Sequence, residues 1–288
     1  MQIRHWAVLL GAAAMFGSAF SFTQVAVAQL PPVTVAAGRA MLAAVVLWTM
    51  LRFLGDRLPA TAGAWRPLVV LGVVTGAVPF VALAWGQVYV QSSVAGILFG
   101  TTPLFTLLAA HFHTRDERIT RRRFAGSAIG LAGVALVVGP GAVMGLGSDA
   151  AGQALILLAA LCSGFGAVYA REQVHCSPLA IAAAQTLCAS AVLVPLSVVL
   201  DRPWQITFGP EALAAVAGLG IVGTALPAPG VFWLIRSVGA LPSSLLAYFV
   251  PATAVLVGVV ALGETLGAAA LGGFVLIIAG AMLVSRRA

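Results

Sequence analysis

The sequence predicts an all-α membrane protein with ten transmembrane helices arranged as two inverted five-helix repeats. Three observations carry this prediction. Hydrophobic residues make up 61% of the 288 residues and charged residues 8%, whereas a soluble domain is about half apolar and about a quarter charged. One motif occurs in both halves of the chain, and the arginines fall almost entirely on one side of the predicted membrane.

Apolar stretches of about 20 residues, the length of a helix that crosses a bilayer, follow one another along the chain. Segments that alternate between apolar and polar residues, as in a transmembrane β-barrel, do not occur, so the spans are predicted to be helical. The predicted spans are 5–27, 33–54, 66–88, 93–113, 122–140, 151–171, 178–200, 211–235, 241–262 and 267–285.

The duplication is visible in a motif that ends each half: an apolar helix with a proline, an acid, and a following helix with two glycines seven residues apart. The second copy is Pro251, Glu264, Gly273 and Gly280, and the first is Pro103, Glu117, Gly126 and Gly133. The acids are 147 residues apart (264 − 117 = 147), and so are the paired glycines. The predicted repeats are residues 1–145 and 146–288.

Charge predicts the orientation. All fifteen basic residues are Arg, and a cytoplasmic N-terminus puts every one except Arg39 and Arg202 in cytoplasmic segments. The positive-inside rule therefore places both termini in the cytoplasm of a bacterial-type inner membrane. Because five spans is an odd number, the two repeats enter the membrane in opposite orientations, an arrangement that suits alternating access. Topology explains the net charge of +7 better than nucleic-acid binding does, so no nucleic-acid partner is predicted.

The first 28 residues also resemble a signal peptide, with Arg4, an apolar run and the small residues of a cleavage site. The segment nevertheless has a counterpart in the second half, because Gly17 matches Gly164 and Phe22 matches Tyr169 at the same offset of 147 (164 − 17 = 147). We therefore predict that it is retained as the first span.

The predicted spans contain no metal-binding motif and no acidic residue at membrane depth. Cys162, Cys176 and Cys188 lack a metal-like spacing and are predicted to be packing residues, so no metal or cofactor is predicted. All eight acids fall in loops or at helix ends, which disfavours an intramembrane enzyme and a glutamate-based proton antiporter. Facilitated diffusion of a neutral or zwitterionic solute fits better, with coupling through His111 or His113 left open. A passive scaffold does not explain why prolines recur at matched places.

The end of each repeat, with its proline, Gly-Glu pair and glycine helix, resembles the EamA-type branch of the drug/metabolite transporter superfamily. The second copy fits well, and the first has Asp116 where glycine is usual. Residues 36–43, which include Arg39, also resemble the second helix of that family. The resemblance covers the whole chain and implies an exporter of small metabolites, with amino acids, aromatic ones first, as the favoured cargo. Nucleosides and sugar derivatives remain open.

The resemblance further implies that spans one, three, four, six, eight and nine surround a central cavity. The predicted substrate-binding residues on these spans are Ser18, Phe22, Phe80, Phe99, Thr102, Phe165, Trp233 and Tyr248. Each aromatic side chain has lipid contact or packing as its alternative role, and Trp233 also fits an aromatic belt. Gln24, Gln87 and Gln185 are polar candidates for the path, with hydrogen bonding between helices as an equal alternative.

A second set of residues is predicted to have structural or gating roles: Arg39, Pro79, Pro103, Glu117, Pro227, Pro251 and Glu264. The two acids are expected to accept hydrogen bonds at the N-terminus of the helix that follows each, where negative charge is favoured. Arg39 either holds a substrate carboxylate or pairs with a polar neighbour. The prolines kink their helices, as hinges or as fixed bends. The predicted partners are a small-molecule substrate and the lipid bilayer; the oligomeric state is left open, with a monomer as one option.

Overall fold

A computed structural model describes residues 1–138, 149–252 and 268–285 of the chain. These residues form helices and connecting turns, and no strand occurs among them. In chain order the helices are α1 (Ile3–Val27), α2 (Pro32–Phe53), α3 (Ala62–Tyr89), α4 (Val94–His113), α5 (Arg121–Val138), α6 (Ala150–Gln173), α7 (Pro178–Leu200), α8 (Pro210–Val238), α9 (Ala240–Ala252) and α10 (Ala268–Ser285).

Seven of the described helices, α1 to α4 and α6 to α8, are long and apolar enough to cross a membrane. Helix α5 has 18 residues and begins with three consecutive arginines, and α9 is shorter. The all-helical prediction is therefore confirmed for the described part of the chain, whereas the count of ten crossings stays a prediction. The second half of the ninth predicted span, residues 253–262, and the repeat boundary at residue 145 lie outside the described residues.

Two of the long helices contain a wider turn at matched places. Helix α3 is π-helical over Gly72–Ala77 and helix α8 over Ile221–Ala225. Pro79 and Pro227 follow these segments, and a proline cannot donate the hydrogen bond that an α-helix makes to the carbonyl four residues before it. The prolines that the sequence paired thus coincide with paired departures from α-helical geometry, a feature found often at functional sites.

Helices α5 and α10 pack through the glycines of the repeated motif. A Cβ atom on Gly126 would lie 2.9 Å from the carbonyl oxygen of Gly280, and one on Gly133 would lie 2.8 Å from that of Gly273. Only glycine allows the backbones to approach so closely. Residue numbers therefore rise along α5, from 126 to 133, while they fall along the facing part of α10, from 280 to 273. The two equivalent helices are antiparallel.

The second helices of the two halves, α2 and α7, are antiparallel as well. At the start of α2, Thr34 donates its backbone N–H to Asp201, 2.8 Å away, and its hydroxyl group contacts Ser197 at the end of α7. At the other end of the pair, the Ser177 hydroxyl at the start of α7 donates to Asp56. Each aspartate lies beside the N-terminus of the equivalent helix of the other half, where the helix dipole favours a carboxylate.

The first and third helices also form contacts between the two halves. Helix α1 packs on α8, and α6 packs on α3, so the first helix of each half lies against the third helix of the other. In both contacts a glycine admits a large side chain, with Gly218 against the Phe22 ring and Gly86 against Ile156. Between the two halves packed in this way, a space remains at the centre of the bundle.

Candidate functional site

A cavity of about 190 Å³ lies between the two halves. Residues from α1, α3, α4, α6, α8 and α9 line it, and these are the spans that the family resemblance implied. Helices α2 and α7 also reach it, through Arg39 and Gln185 respectively. The volume is below the range of about 300–1,000 Å³ that is usual for drug-sized ligands, so the space suits a small solute.

The cavity wall is mostly apolar, with polar groups at a few places and no acidic or histidine side chain among the described lining residues. The aromatic lining residues are Phe16, Phe20, Phe80, Phe99 and Phe232. The polar ones are Thr23, Arg39, Thr75, Gln87, Thr102, Ser163, Gln185, Thr224, Ser243 and Ser244. A wall of this kind can hold a flat apolar group while a small number of polar atoms fix its orientation.

Arg39 is the one charged residue among the described residues of this lining, and it is buried, with 5% of its surface exposed. Its Nε–H donates to the Thr224 hydroxyl oxygen across 2.8 Å. Its guanidinium carbon lies 4.0 Å from the centre of the Phe80 ring, a cation–π contact. The predicted pairing with a polar neighbour is therefore present, and it joins α2 of the first half to the π-helical segment of α8.

A neutral counterpart of this contact occurs in the other half. Gln185 of α7 donates its side-chain N–H to the Thr75 hydroxyl oxygen across 2.8 Å, and Thr75 lies in the π-helical segment of α3. Arg39 and Gln185 occupy the same position in their helices, each seven residues after the first proline (39 − 32 = 7 and 185 − 178 = 7). The two halves thus bring a cationic and a neutral side chain to a threonine in the π-helical segment of the other half.

Gln87 lies where α3 meets α1 and is 1% exposed. Its side-chain N–H donates to the carbonyl oxygen of Phe20 across 2.9 Å, and Gln24 donates to its backbone oxygen across 3.3 Å. These contacts are the hydrogen bonds between helices that the sequence left as one option for the glutamines. The Oε1 atom of Gln87 has no partner among the described residues.

Three of the eight predicted substrate-binding residues line the cavity: Phe80, Phe99 and Thr102. Phe99 makes an edge-to-face contact with Phe20 across 5.8 Å between ring centres. The Thr102 hydroxyl donates to the carbonyl oxygen of Phe99 across 2.6 Å, at the point where Pro103 interrupts the backbone hydrogen bonds of α4.

The other five predicted residues lie outside the lining of this cavity. Ser18 donates its hydroxyl hydrogen to the carbonyl oxygen of Met15 in its own helix. Phe22 packs against Gly218, and Phe165 packs beside a small buried cluster that includes Ala110. Their part in substrate binding stays a prediction.

Trp233 and Tyr248 have partners elsewhere. The Trp233 ring lies 5.2 Å from the His5 ring, and Arg4 stacks on it. Tyr248 is fully buried, packs its ring against Gly130, and donates its hydroxyl hydrogen to the carbonyl oxygen of Ser127 across 2.6 Å. Both side chains tie helices together away from the cavity.

Among the predicted structural or gating residues, Pro79 lines the cavity and Pro227 precedes Ala228–Val238, the α-helical segment that ends α8. Pro103 and Pro251 are buried. A Cβ atom on Gly96 of α4 would lie 3.8 Å from Pro251 of α9, so the two proline-containing helices meet. Glu264 lies outside the described residues.

Glu117 contacts a helix of the other half. The sequence predicted an acceptor at the N-terminus of the following helix, α5, but the Glu117 carboxylate instead accepts the backbone N–H of Leu241, at the start of α9, across 3.2 Å. It also lies 3.3 Å from an Arg171 nitrogen. Its other oxygen fills the space where Gly239, with φ of +107°, lacks a Cβ atom. The sequence did not indicate this contact, because Glu117 and Leu241 are 124 residues apart and meet only in the folded chain.

These residues form one wall of a polar vestibule. Its lining contains the N-terminus and the arginines Arg4, Arg118, Arg123, Arg171 and Arg236, together with Asp116 and Glu117. The start of α9 lies between the two spaces, since Gly239 and Pro242 line the vestibule while Ser243 and Ser244 line the cavity. Glu117 therefore holds the segment that separates the vestibule from the cavity.

The two adjacent carboxyl groups of the vestibule have opposite pKa shifts. Burial raises the pKa of Glu117 above its ordinary value of 4.5, and the Arg171 guanidinium reduces that increase without reversing it. Hydrogen bonds from Arg171 at 2.7 Å and 3.1 Å lower the pKa of Asp116, which is largely exposed. The difference follows from burial, which penalises the charged form of Glu117 far more.

Several lining residues were not among the predicted candidates: Phe16, Phe20, Thr75, Thr224, Phe232, Ser243 and Ser244. One signal for the threonines was present, since each precedes a matched proline, Thr75 by four residues and Thr224 by three (79 − 75 = 4 and 227 − 224 = 3). The phenylalanines gave no such signal, because helices that are apolar on every face do not mark the face that meets a cavity.

A cavity between two halves whose equivalent helices pack antiparallel, with an apolar wall that carries a few polar groups, is typical of membrane transporters built from inverted repeats. The chain belongs to the EamA-like transporter family, which matches residues 5–139 and again residues 150–286. A solved crystal structure has the same fold, with a TM-score of 0.74, 97% of each chain covered and 21% sequence identity.

Similar proteins occur in several organisms. The chain is 29% identical over 275 residues to "Uncharacterized inner membrane transporter YedA" of Escherichia coli (strain K12), covering 92% of this chain and 87% of that protein. It is 30% identical over 224 residues to "Probable terminal-alkyne amino-acid exporter" of Streptantibioticus cattleyicolor, covering 77% and 73%. An "Uncharacterized transporter" of Archaeoglobus fulgidus is 24% identical over 289 residues, 99% of this chain and all of that protein.

Proposed function

We propose that this protein is a multi-pass inner-membrane exporter of small metabolites, most of all amino acids with aromatic side chains, and that it works by alternating access. The observation that carries the proposal is the antiparallel pairing of equivalent helices, α2 with α7 and α5 with α10, in a bundle with a cavity between its two halves. In transporters built from inverted repeats, two related halves rock about a shared site near the middle of the bilayer.

The proposed topology has ten spans, repeats at 1–145 and 146–288, and both termini in the cytoplasm. The polar vestibule supports it, because the N-terminus and arginines from four separate segments of the chain line a single space. A concentration of arginines at one end of the bundle is the pattern expected of a cytoplasmic face. On this topology the vestibule is the inner entrance to the cavity.

The start of α9 is the proposed inner gate. It separates the vestibule from the cavity, and its backbone N–H is held by Glu117 of the opposite half. Movement of one half relative to the other would break or remake this contact, so the gate would open only when the halves move. The π-helical segments of α3 and α8 are the proposed points of bending, since their hydrogen bonds already depart from the α-helical pattern.

The cargo proposal is supported by the chemistry of the wall. Five phenylalanines line a cavity of about 190 Å³ that also presents Arg39. An aromatic ring would stack on the phenylalanines, whereas a sugar would leave its hydroxyl groups against apolar carbon. The name of the Streptantibioticus cattleyicolor relative, an amino-acid exporter, points to the same class of solute.

Facilitated diffusion is the proposed mode of transport. No carboxyl or imidazole group is present among the described residues of the cavity lining, so a proton carrier of the kind used by antiporters has no candidate there. His113 interacts with the carbonyl oxygen of Ala109 at the end of α4, away from this lining. A pH gradient across the membrane should therefore not drive accumulation of the solute.

Counterflow in liposomes that contain the purified protein tests the proposal. Vesicles loaded with unlabelled phenylalanine or tryptophan should take up the labelled amino acid, with saturation, and protein-free vesicles should not. Parallel vesicles are loaded with nucleosides or with sugars. Exchange of nucleosides or sugars without amino acids would overturn the cargo proposal, and conversion of any solute to a product would overturn the transporter assignment.

A further inference from the structure

We propose that Arg39 binds the carboxylate group of the transported solute, so that the cavity accepts aromatic carboxylates and rejects aromatic amines that lack one. The inference rests on the proposed function and names the chemical group that the same cavity recognises. It depends on the position of Arg39, on the donors that its contacts leave unused, and on the absence of acidic groups from the described lining.

Arg39 has hydrogen-bond donors to spare. A guanidinium group carries five N–H donors, and the structure assigns one of them, on Nε, to the Thr224 hydroxyl. The terminal nitrogens have no hydrogen-bond partner among the described residues. Both ion pairs found in the described part of the chain involve Arg171 instead. Arg39 is therefore a buried cation without a counter-ion, an arrangement whose cost an anionic ligand would offset.

The contacts of Arg39 also fix its orientation. The guanidinium carbon lies over the Phe80 ring, 4.0 Å from its centre, and the Nε–H donates to Thr224. This leaves the edge formed by the two terminal nitrogens, whose fork matches the two oxygens of a carboxylate. A guanidinium that is already oriented loses little freedom when such a ligand binds.

A purely structural role does not account for the charge. At the matched position of the other half, Gln185 makes the same contact to the Thr75 hydroxyl with a neutral amide. Holding a π-helical segment through a threonine hydroxyl therefore needs an N–H donor and no positive charge. The charge at position 39 is left for a ligand.

The described lining also lacks an acceptor of negative charge, since it contains neither aspartate nor glutamate. A solute with an ammonium group but no carboxylate would bring a second cation next to Arg39, and the two charges would repel each other. The cavity is thus expected to require the carboxylate and to tolerate, without requiring, the amino group.

Competition with counterflow of labelled phenylalanine tests the inference on the wild-type protein. Phenylpropionate, which keeps the carboxylate and lacks the amino group, should compete. Phenethylamine and phenylalaninamide, which lack the carboxylate, should compete about 10- to 100-fold more weakly, as expected for the loss of charge-assisted hydrogen bonds. Equal competition by the acid and the amines would overturn the inference while leaving amino-acid transport, and so the proposed function, intact.

Variants assign the selectivity to one side chain. In Arg39→Gln the ratio of competition by phenylpropionate to that by phenethylamine should fall to about one, and Arg39→Lys should keep part of it. The matched control is Arg202→Gln, which makes the same substitution at an exposed arginine outside the cavity lining and should keep the wild-type ratio. A ratio unchanged in Arg39→Gln overturns the inference. Because the wild-type competition needs no variant, poor folding of Arg39→Gln does not prevent the test, and absence of any amino-acid exchange would overturn the proposed function instead.

Discussion

Arg39 donates its Nε–H to the hydroxyl oxygen of Thr224 across 2.8 Å and so ties the second helix of the first half to the π-helical segment of the second. The reciprocal contact joins Gln185 to Thr75. Both hydroxyl groups also donate to a carbonyl oxygen in the preceding turn of their own helix, Thr224 to Leu219 and Thr75 to Leu71. Each threonine therefore couples a side chain of the opposite half to the wider turn of its own helix.

Replacing the two threonines should have unequal effects. Thr224→Val leaves the charged, buried Nε–H of Arg39 without its acceptor, which lowers stability by about 1.5–3 kcal/mol. Thr75→Val removes the acceptor of the neutral Gln185 amide and lowers stability by about 0.5–1.5 kcal/mol. Thermal unfolding of the purified variants in the same detergent measures the difference. Equal destabilisation by the two substitutions would show that the Arg39 contact has no special weight.

The sequence predicted the pairing of the halves more fully than it predicted the cavity. The constant offset of 147 paired Gly126 with Gly273 and Gly133 with Gly280 as one repeated motif. The glycines of the two copies do pack together, Gly126 on Gly280 and Gly133 on Gly273. The offset works because backbones approach closely only where a side chain is absent, which leaves a mark in the sequence. A contact made by a long side chain leaves no such mark, so Glu117 was assigned to α5 when it holds the start of α9.

The cavity residues were harder to predict for a different reason. Helices in a membrane are apolar on their lipid faces and at their interfaces alike, so hydrophobic periodicity does not separate the faces. Tyr248 resembles a cavity residue in sequence, yet its ring fills the space beside Gly130. Phe80 and Phe99 also lie in apolar stretches of the sequence, and their side chains do line the cavity.

The interface between α5 and α10 should not tolerate a side chain at its glycines. In Gly133→Val the new Cβ atom would meet the backbone of Gly273 and Ile277 at 2.8 Å, and backbone cannot move aside as a flexible side chain can. We expect a loss of about 1–3 kcal/mol of stability, the usual cost of overpacking. Unfolding measured by thermal melting in detergent checks this.

Gly11→Ala is the matched control for that substitution. Gly11 lies within α1, and nothing lies within 4 Å of the position where its Cβ atom would be. The added methyl group should be neutral or should stabilise α1 by up to about 1 kcal/mol through helix propensity. Similar melting temperatures for both glycine variants would contradict the observed packing of α5 on α10.

The proposed topology predicts the sides of two exposed loops. The segment that carries Arg118 follows α4 and should be cytoplasmic, whereas the segment that carries Trp204, which is 66% exposed, follows α7 and should be external. Single cysteines at these positions, in a protein whose three native cysteines are replaced by serine, can be labelled in intact cells with a reagent that does not cross membranes. Only the cysteine at position 204 should react, and reaction of both would rule out the odd number of crossings between them.

Glu117 should make the stability of the protein depend on pH with a definite sign. Burial raises its pKa above 4.5 in the folded state, so the folded protein binds the proton more tightly than the unfolded chain does. The contribution of Glu117 to the free energy of unfolding therefore increases as the pH falls through the raised pKa toward about 4.5. The same contribution is lost as the pH rises through the raised pKa. The neighbouring Asp116, whose pKa is lowered, contributes with the opposite sign.

The variant Glu117→Gln isolates the contribution of Glu117. Its amide oxygen can still accept the N–H of Leu241, and Asp116 still binds Arg171 through two hydrogen bonds. Because Asp116 titrates in both proteins, its effect cancels in the difference between their melting temperatures. That difference, wild type minus variant, should become more positive as the pH is lowered from about 8 to about 4.5. A difference that stays constant, or changes in the opposite direction, would mean that burial does not control the charge of Glu117 at the start of α9.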